Sequence, residues 1–137
     1  MIFFQKKKPT TTDIGRFGEN VAVDYLKKQG LRIVCRNFRA GKNEIDIIAE
    51  DRECLIFVEV KARSGVGAYA YDYGTPASAV TYAKRKRTIE AARAYLYKKP
   101  TDKTPRFDVV EIYLDKTEFA AQPQVLKIEH LCDAFRS

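Results

Sequence analysis

Residues 43–63 read Asn-Glu-Ile-Asp-Ile-Ile-Ala-Glu-Asp-Arg-Glu-Cys-Leu-Ile-Phe-Val-Glu-Val-Lys-Ala-Arg. Two apolar runs, 45–49 and 54–60, flank a charged break at 50–53. Both runs are rich in β-branched and aromatic residues and too short for helices, which predicts a hairpin. Asp46 interrupts the first run, and Glu59 and Lys61 punctuate the end of the second. A charge inside an apolar strand is costly unless it is paired or binds a metal ion.

Register decides whether these charges meet. A two-residue turn at Asp51-Arg52, or a four-residue turn over 50–53, sets Asp46 opposite Phe57 and makes Glu59 its diagonal neighbour on the same face. Diagonal neighbours lie about 7–8 Å apart, close enough for two carboxylates to converge on one cation. Lys61 follows Glu59 by two positions and shares that face. A three-residue turn would flip the parity and separate the acids. Two acidic oxygens with open positions suit a hard divalent ion, magnesium above all, or manganese; such an ion keeps its waters and accepts a substrate phosphate. The bland alternative is an ordinary cross-strand ion pair of Lys61 with Glu59.

The chain has 137 residues, enough for one domain and too few for two ordinary ones. A hydrophobic share of 45% and a charged share of 31% are globular values. The net charge of +7 favours a polyanionic partner. Three widely spaced cysteines among apolar residues read as buried free thiols in a reducing compartment, and a single histidine, His130, speaks against a zinc site. The short apolar start is no signal peptide and no run is long enough for a bilayer, so the expected location is cytoplasmic, without a membrane.

Residues 1–11 read as a flexible basic arm and 12–137 as a single domain. Thr12 or Asp13 can cap a helix to about Gln29, with Ile14, Phe17, Val21 and Tyr25 in one apolar stripe and Gly30 as its stop. Gly15 and Gly18 are costly inside a helix and imply close packing or close ligand approach. On this helix Glu19 has an ordinary role as an ion pair with Arg16. Residues 31–39 alternate as a strand near a sheet edge, with Leu31, Ile33, Cys35 and Asn37 on one side. Residues 40–43 turn the chain into the hairpin, with Asn43 suited to a left-handed conformation. Residues 64–75, rich in glycine and tyrosine, form a loop: either a flap that stacks on bases or a linker packed on the domain. Pro76 starts a second helix to about Lys98, with Ala79, Tyr82, Ala83, Ile89, Ala92 and Leu96 inward and a basic run outward. That run can be a solvated face or can track phosphates. A buried strand follows over 106–114, then a short last strand over 124–128, after which 130–135 closes over the core. Asp108 reads as structural, pairing with Arg106 or capping a turn, and His130 also reads as structural. The order αβββαββ predicts an α/β domain with a mixed central sheet flanked by helices.

Asp46…Glu59-Val60-Lys61 resembles the PD-(D/E)xK signature of restriction-endonuclease-like nucleases. A wider ordered set resembles the bacterial YraN family: Gly15-Arg16-Phe17-Gly18-Glu19, Asn37-Phe38-Arg39, Glu44 to Ala49, Phe57 to Arg63, Ala79-Val80…Lys84, Arg106 to Val110 and Ala134-Phe135. That family is uncharacterised and similar to Holliday junction resolvases. It usually has glycine where Asn43 stands. The resemblance implies a restriction-endonuclease-like fold and a metal-dependent nuclease acting on nucleic acid, DNA foremost and branched DNA among the options. In it Asp46 and Glu59 would hold magnesium or manganese. Lys61 would position water or stabilise charge, and Glu19 would be a third acidic group reaching toward the metal. Lys84 would be a phosphate contact or catalytic helper; Lys84, Arg85 and Lys86, with Arg63 after the hairpin, are the candidate nucleic-acid contacts. Resolvases pair two sites, which makes a homodimer an expectation. Two other classes stand beside this reading: a nucleic-acid-binding module of the same fold without catalysis, and a structural or protein-interaction domain.

Overall fold

The computed structural model describes residues 11–65, 81–115 and 123–136. The elements follow in the predicted order αβββαββ: α1 (Thr11–Lys28), β1 (Arg32–Ala40), β2 (Asn43–Glu50), β3 (Cys54–Gly65), α2 (Tyr82–Lys98), β4 (Thr104–Asp115) and β5 (Gln124–Phe135). One mixed sheet holds all five strands in the order β1-β2-β3-β4-β5. Neighbours are antiparallel except β3 and β4, which run parallel and are joined through α2. The expectations for the basic arm, for most of the 64–75 loop and for Pro76 and Ala79 fall outside the described residues.

The first helix ends as its sequence predicts. Gly30 takes φ +89°, its N–H donates to the Lys27 carbonyl at 3.0 Å, and the Leu31 N–H reaches the Leu26 carbonyl at 3.1 Å. This is a Schellman stop, a left-handed conformation that glycine adopts without strain. Ile14, Ala22, Val23 and Leu26 are buried, with Phe17, Val21 and Tyr25 packed beside them against one face of the sheet.

The strand after it is an edge strand, but its simple alternation fails. A register shift between Ile33 and Cys35 adds a residue to β1. Ile33 packs on the α1 side, whereas Val34, Cys35 and Phe38 all pack on the α2 side, so Cys35 changes face. The next turn is Gly41-Lys42, between the paired residues Ala40 and Asn43. Its left-handed position is Gly41 (φ +61°), not Asn43. Asn43 is a strand residue whose amide donates to Glu90 at 3.4 Å.

The second helix starts later than the proline suggests. Thr81 is its N-cap, accepting the Lys84 N–H on its hydroxyl at 3.2 Å, and α2 runs from Tyr82. Its inward face is Thr88, Ala91, Ala92 and Tyr95, while Tyr82 is 82% exposed and Ala83 is exposed too. Ile89 and Leu96 flank the inward face. The last strand is longer than expected: β5 continues through His130 to Phe135 and pairs with β4 along its length, with two irregularities. The core is therefore two layers, one between α1 and the sheet and one between α2 and the sheet. Of the cysteines, Cys35 and Cys54 are half-buried and Cys132 is exposed, so the thiols are less enclosed than their apolar neighbours imply.

Candidate active site

The hairpin that carries the acids keeps the required parity with a shifted register. Asp51 accepts the Glu53 N–H at 2.8 Å and the Cys54 N–H at 2.7 Å on one carboxylate oxygen, and its own N–H donates to the Cys54 carbonyl at 3.1 Å. This Asx-type turn occupies 51–54, so pairing starts at Glu50 with Leu55 and runs to Ile47 with Val58. One step further sets Asp46 opposite Glu59, a direct facing pair rather than the diagonal that the sequence predicts. There the strands part, and the Asp46 carboxylate accepts the Val60 N–H at 2.8 Å.

Both acids are withdrawn from water. Burial and the neighbouring Glu59 charge push the Asp46 carboxyl up to about 7, against the Val60 hydrogen bond and Lys84. Burial also raises Glu59, opposed by Lys84, by a hydrogen bond with Asp46 and by Lys61. Both carboxyls are thus shifted toward their protonated forms, and two acids this close favour sharing a proton. Lys84 Nζ stands 3.2 Å from Glu59 Oε1, delivered from the first turn of α2. Glu59 Oε2 is buried with no hydrogen-bond partner among the described residues. Lys61 is exposed and lies close enough to favour the Glu59 charge.

Glu19 does not pair with Arg16. Its carboxylate accepts Arg36 Nε at 3.1 Å and the Asn37 amide at 3.0 Å, while Arg36 Nη2, itself 3.1 Å from Glu19, donates to Asn20 Oδ1 at 2.6 Å. Asn37 takes φ +53°, which turns its side chain onto Glu19. Glu19 still lies close enough to add to the upward push on Asp46. Gly18 explains how α1 comes so near: a β-carbon there would stand 2.7 Å from that of Ala62 on β3. Among the described residues nothing approaches Gly15 comparably, so the packing argument applies to one glycine of the two.

The structure therefore brings Asp46, Glu59 and Lys84 together, with Lys61 and Glu19 at the margins. Arg63 is placed elsewhere: its guanidinium meets Glu111, whose side chain is fully buried in β4. Arg85 lies over the Phe135 ring, 5.7 Å from its centroid, and Lys86 is exposed on α2. Sequence reasoning missed Arg36 and the Val60 N–H. A signal for Arg36 was present in the charged residues of an edge strand next to Asn37.

A second polar cluster has a different character. Asp108 is gripped by Arg106 through two 2.9 Å hydrogen bonds, meets His130 Nε2 at 2.7 Å and accepts the Asp133 N–H at 2.9 Å. Tyr25 meets His130 Nδ1 at 3.2 Å. Of the two structural roles expected of Asp108, pairing with Arg106 holds; the Asp133 N–H that it accepts belongs to an irregularity inside β5, where Asp133 takes φ +53°, and not to a turn. Cys132 stands beside it, but the Asp108 oxygens are already engaged four times.

The sequence matches the family model described as "Uncharacterised protein family UPF0102" over residues 18–112. A UPF0102 protein of Clostridium botulinum strain Hall is 45% identical over 105 residues, covering 75% of this chain and 81% of that protein. A UPF0102 protein of strain Alaska E43 is 40% identical over 131 residues, covering 95% and 99%. The chain belongs to the uncharacterised UPF0102 family, the YraN family that its motifs resemble.

Proposed function

We propose that this chain is a metal-dependent phosphodiesterase of nucleic acid, DNA foremost, with a restriction-endonuclease-like fold. The observation that carries the reading is the desolvated pair Asp46 and Glu59, with one buried Glu59 oxygen lacking a partner among the described residues. Once the shared proton is lost this oxygen has no donor, which costs free energy, and a hard divalent cation is the ligand that offsets it. The donors fit magnesium or manganese, with both carboxylates offering oxygen. A divalent ion held there would polarise a scissile phosphate and make bound water more acidic. The residues do the rest. Asp46 must release its proton, so occupancy rises with pH. Lys84 must move from Glu59 Oε1 or share it, which places an ammonium group beside the phosphate. Lys61 offers a second cation on the open side, and Glu19, fixed by Arg36 and Asn37, adds negative charge at the margin.

One observation favours the second reading, a nucleic-acid-binding module without catalysis. Lys84 already neutralises Glu59, as in a purely structural ion pair. The test is to incubate wild type and Asp46→Ala with labelled linear, single-stranded and four-way-junction DNA, under magnesium, manganese or chelator. Metal-dependent cleavage by wild type alone supports the nuclease. Retained cleavage in Asp46→Ala sinks it, and binding that falls steeply with salt without cleavage supports the module.

A further inference from the structure

The outer side of α2 carries a groove of about 450 Å³ that the acidic pair does not use. Tyr82, Lys86, Ile89 and Arg93 line it from the helix, and Phe135 lines it from the end of β5. The helical residues fall at i, i+4, i+7 and i+11, one face about 16 Å long. Tyr82 is the exposed aromatic at its mouth, 82% accessible. Lys86 and Arg93 make no ion pair among the described residues. The other charges are restrained. Arg85 lies over the Phe135 ring, Arg136 pairs with Asp133, and Glu90, the acidic lining group, is hydrogen-bonded to Asn43.

A groove with unmatched cations beside an exposed ring and an apolar floor has the chemistry of a stacking platform with phosphate contacts. Its volume admits one planar group with its sugar, not a paired duplex. We infer that this groove holds an unpaired nucleotide of a single-stranded nucleic acid. The base stacks on Tyr82 above Ile89, and Lys86 and Arg93 contact the flanking phosphates. The inference rests on the proposed function in taking nucleic acid as the ligand, and it names the substrate class. The groove takes in Tyr82 of the first helical turn of α2, the turn from which Lys84 reaches Glu59.

The test measures fluorescence anisotropy of labelled oligothymidylate and of a labelled hairpin duplex in chelator, with wild type, Tyr82→Ala, Tyr82→Phe and Arg93→Ala. Wild type is expected to prefer oligothymidylate. Tyr82→Ala should weaken that binding roughly tenfold and spare the duplex, and Tyr82→Phe should restore it. Arg93→Ala should lower the salt slope by about 0.7 on the single strand. Equal affinities of wild type and Tyr82→Ala would overturn the proposal, as would an equal loss on duplex, no rescue by phenylalanine, or no binding. Far-ultraviolet circular dichroism checks that the variants are folded. Cleavage by wild type with tyrosine-independent binding would sink the groove and leave the nuclease standing. Tyrosine-dependent binding with no cleavage in magnesium or manganese would do the reverse.

Discussion

Gly18 on α1 lies over Ala62 on β3 so closely that a β-carbon on Gly18 would stand 2.7 Å from the Ala62 β-carbon. The missing side chain lets the helix lie against the strand one residue before Glu19. Alanine would ordinarily strengthen a helix by about 1 kcal/mol over glycine. Here overpacking outweighs that gain, and Gly18→Ala is expected to destabilise by about 1–3 kcal/mol. Gly15→Ala, with nothing within 4 Å of its added carbon, is expected to stabilise by about 0.5–1 kcal/mol. Urea denaturation of the two variants side by side checks both signs.

The Asp46 carboxyl, pushed up to about 7 from an ordinary 3.8, keeps a proton in the native state that the unfolded chain releases. The native state binds more protons between those values, so this group makes stability fall as pH rises through the interval. Asp46→Asn preserves the acceptor for Val60 and a donor toward Glu59 without the charge. It is expected to raise stability by about 1–3 kcal/mol at pH 8 and to change little at pH 4. Thermal unfolding at the two pH values decides it; an equal effect at both would count against the desolvated pair.

Asp108 titrates the other way. Burial works against its charge, but His130, the Arg106 guanidinium and the Asp133 N–H together hold its carboxyl below the ordinary range. The stability it contributes is present above the unfolded value of 3.8 and is lost as pH falls through the lower folded value. Asp108→Asn leaves Arg106 without its anion and is expected to cost about 3–5 kcal/mol at pH 7. The cost should shrink at pH 3, which chemical denaturation at both pH values will show.

Asn37 serves Glu19 through its amide and β1 through its left-handed backbone. Asn37→Gly keeps the backbone and loses the amide, so stability should move by less than about 1 kcal/mol. Asn37→Ala loses both and should cost about 1–2 kcal/mol. If the two variants unfold at the same urea concentration, the positive φ carries no weight.

Much of this was legible in residues 43–63, because two short apolar runs around a charged break admit little besides a hairpin, and the order of elements followed. The parity that brings Asp46 and Glu59 to one place was legible too. The exact register was not, because Asp51 folds its side chain onto the turn and lengthens it, a choice that strand patterning does not encode. The face of Cys35 was lost to a single extra residue in β1. The start of α2 was lost because proline and a threonine cap compete as signals, and Thr81 is the one that caps the helix. Arg63 looked like a surface cation because its partner, Glu111, is distant in sequence and adjacent only through the parallel pairing.

That parallel pairing also orders the assembly of the chain. Within β1 and β2 the widest register pair spans 18 positions, Arg32 with Glu50, whereas every pair between β3 and β4 spans 50, as Cys54 with Thr104 does. The meander β1–β2–β3 and the hairpin β4–β5 are each local, and one seam joins them. Loop-closure entropy opposes the seam until α2 has drawn the chain back, so its zippering is the slow event expected in folding. Asp46 and Glu59 both belong to the meander, so their meeting depends on contacts that form early. Lys84 and the Arg63–Glu111 pair depend on the return of α2 and β4, so the ammonium that neutralises the acids arrives after they have met.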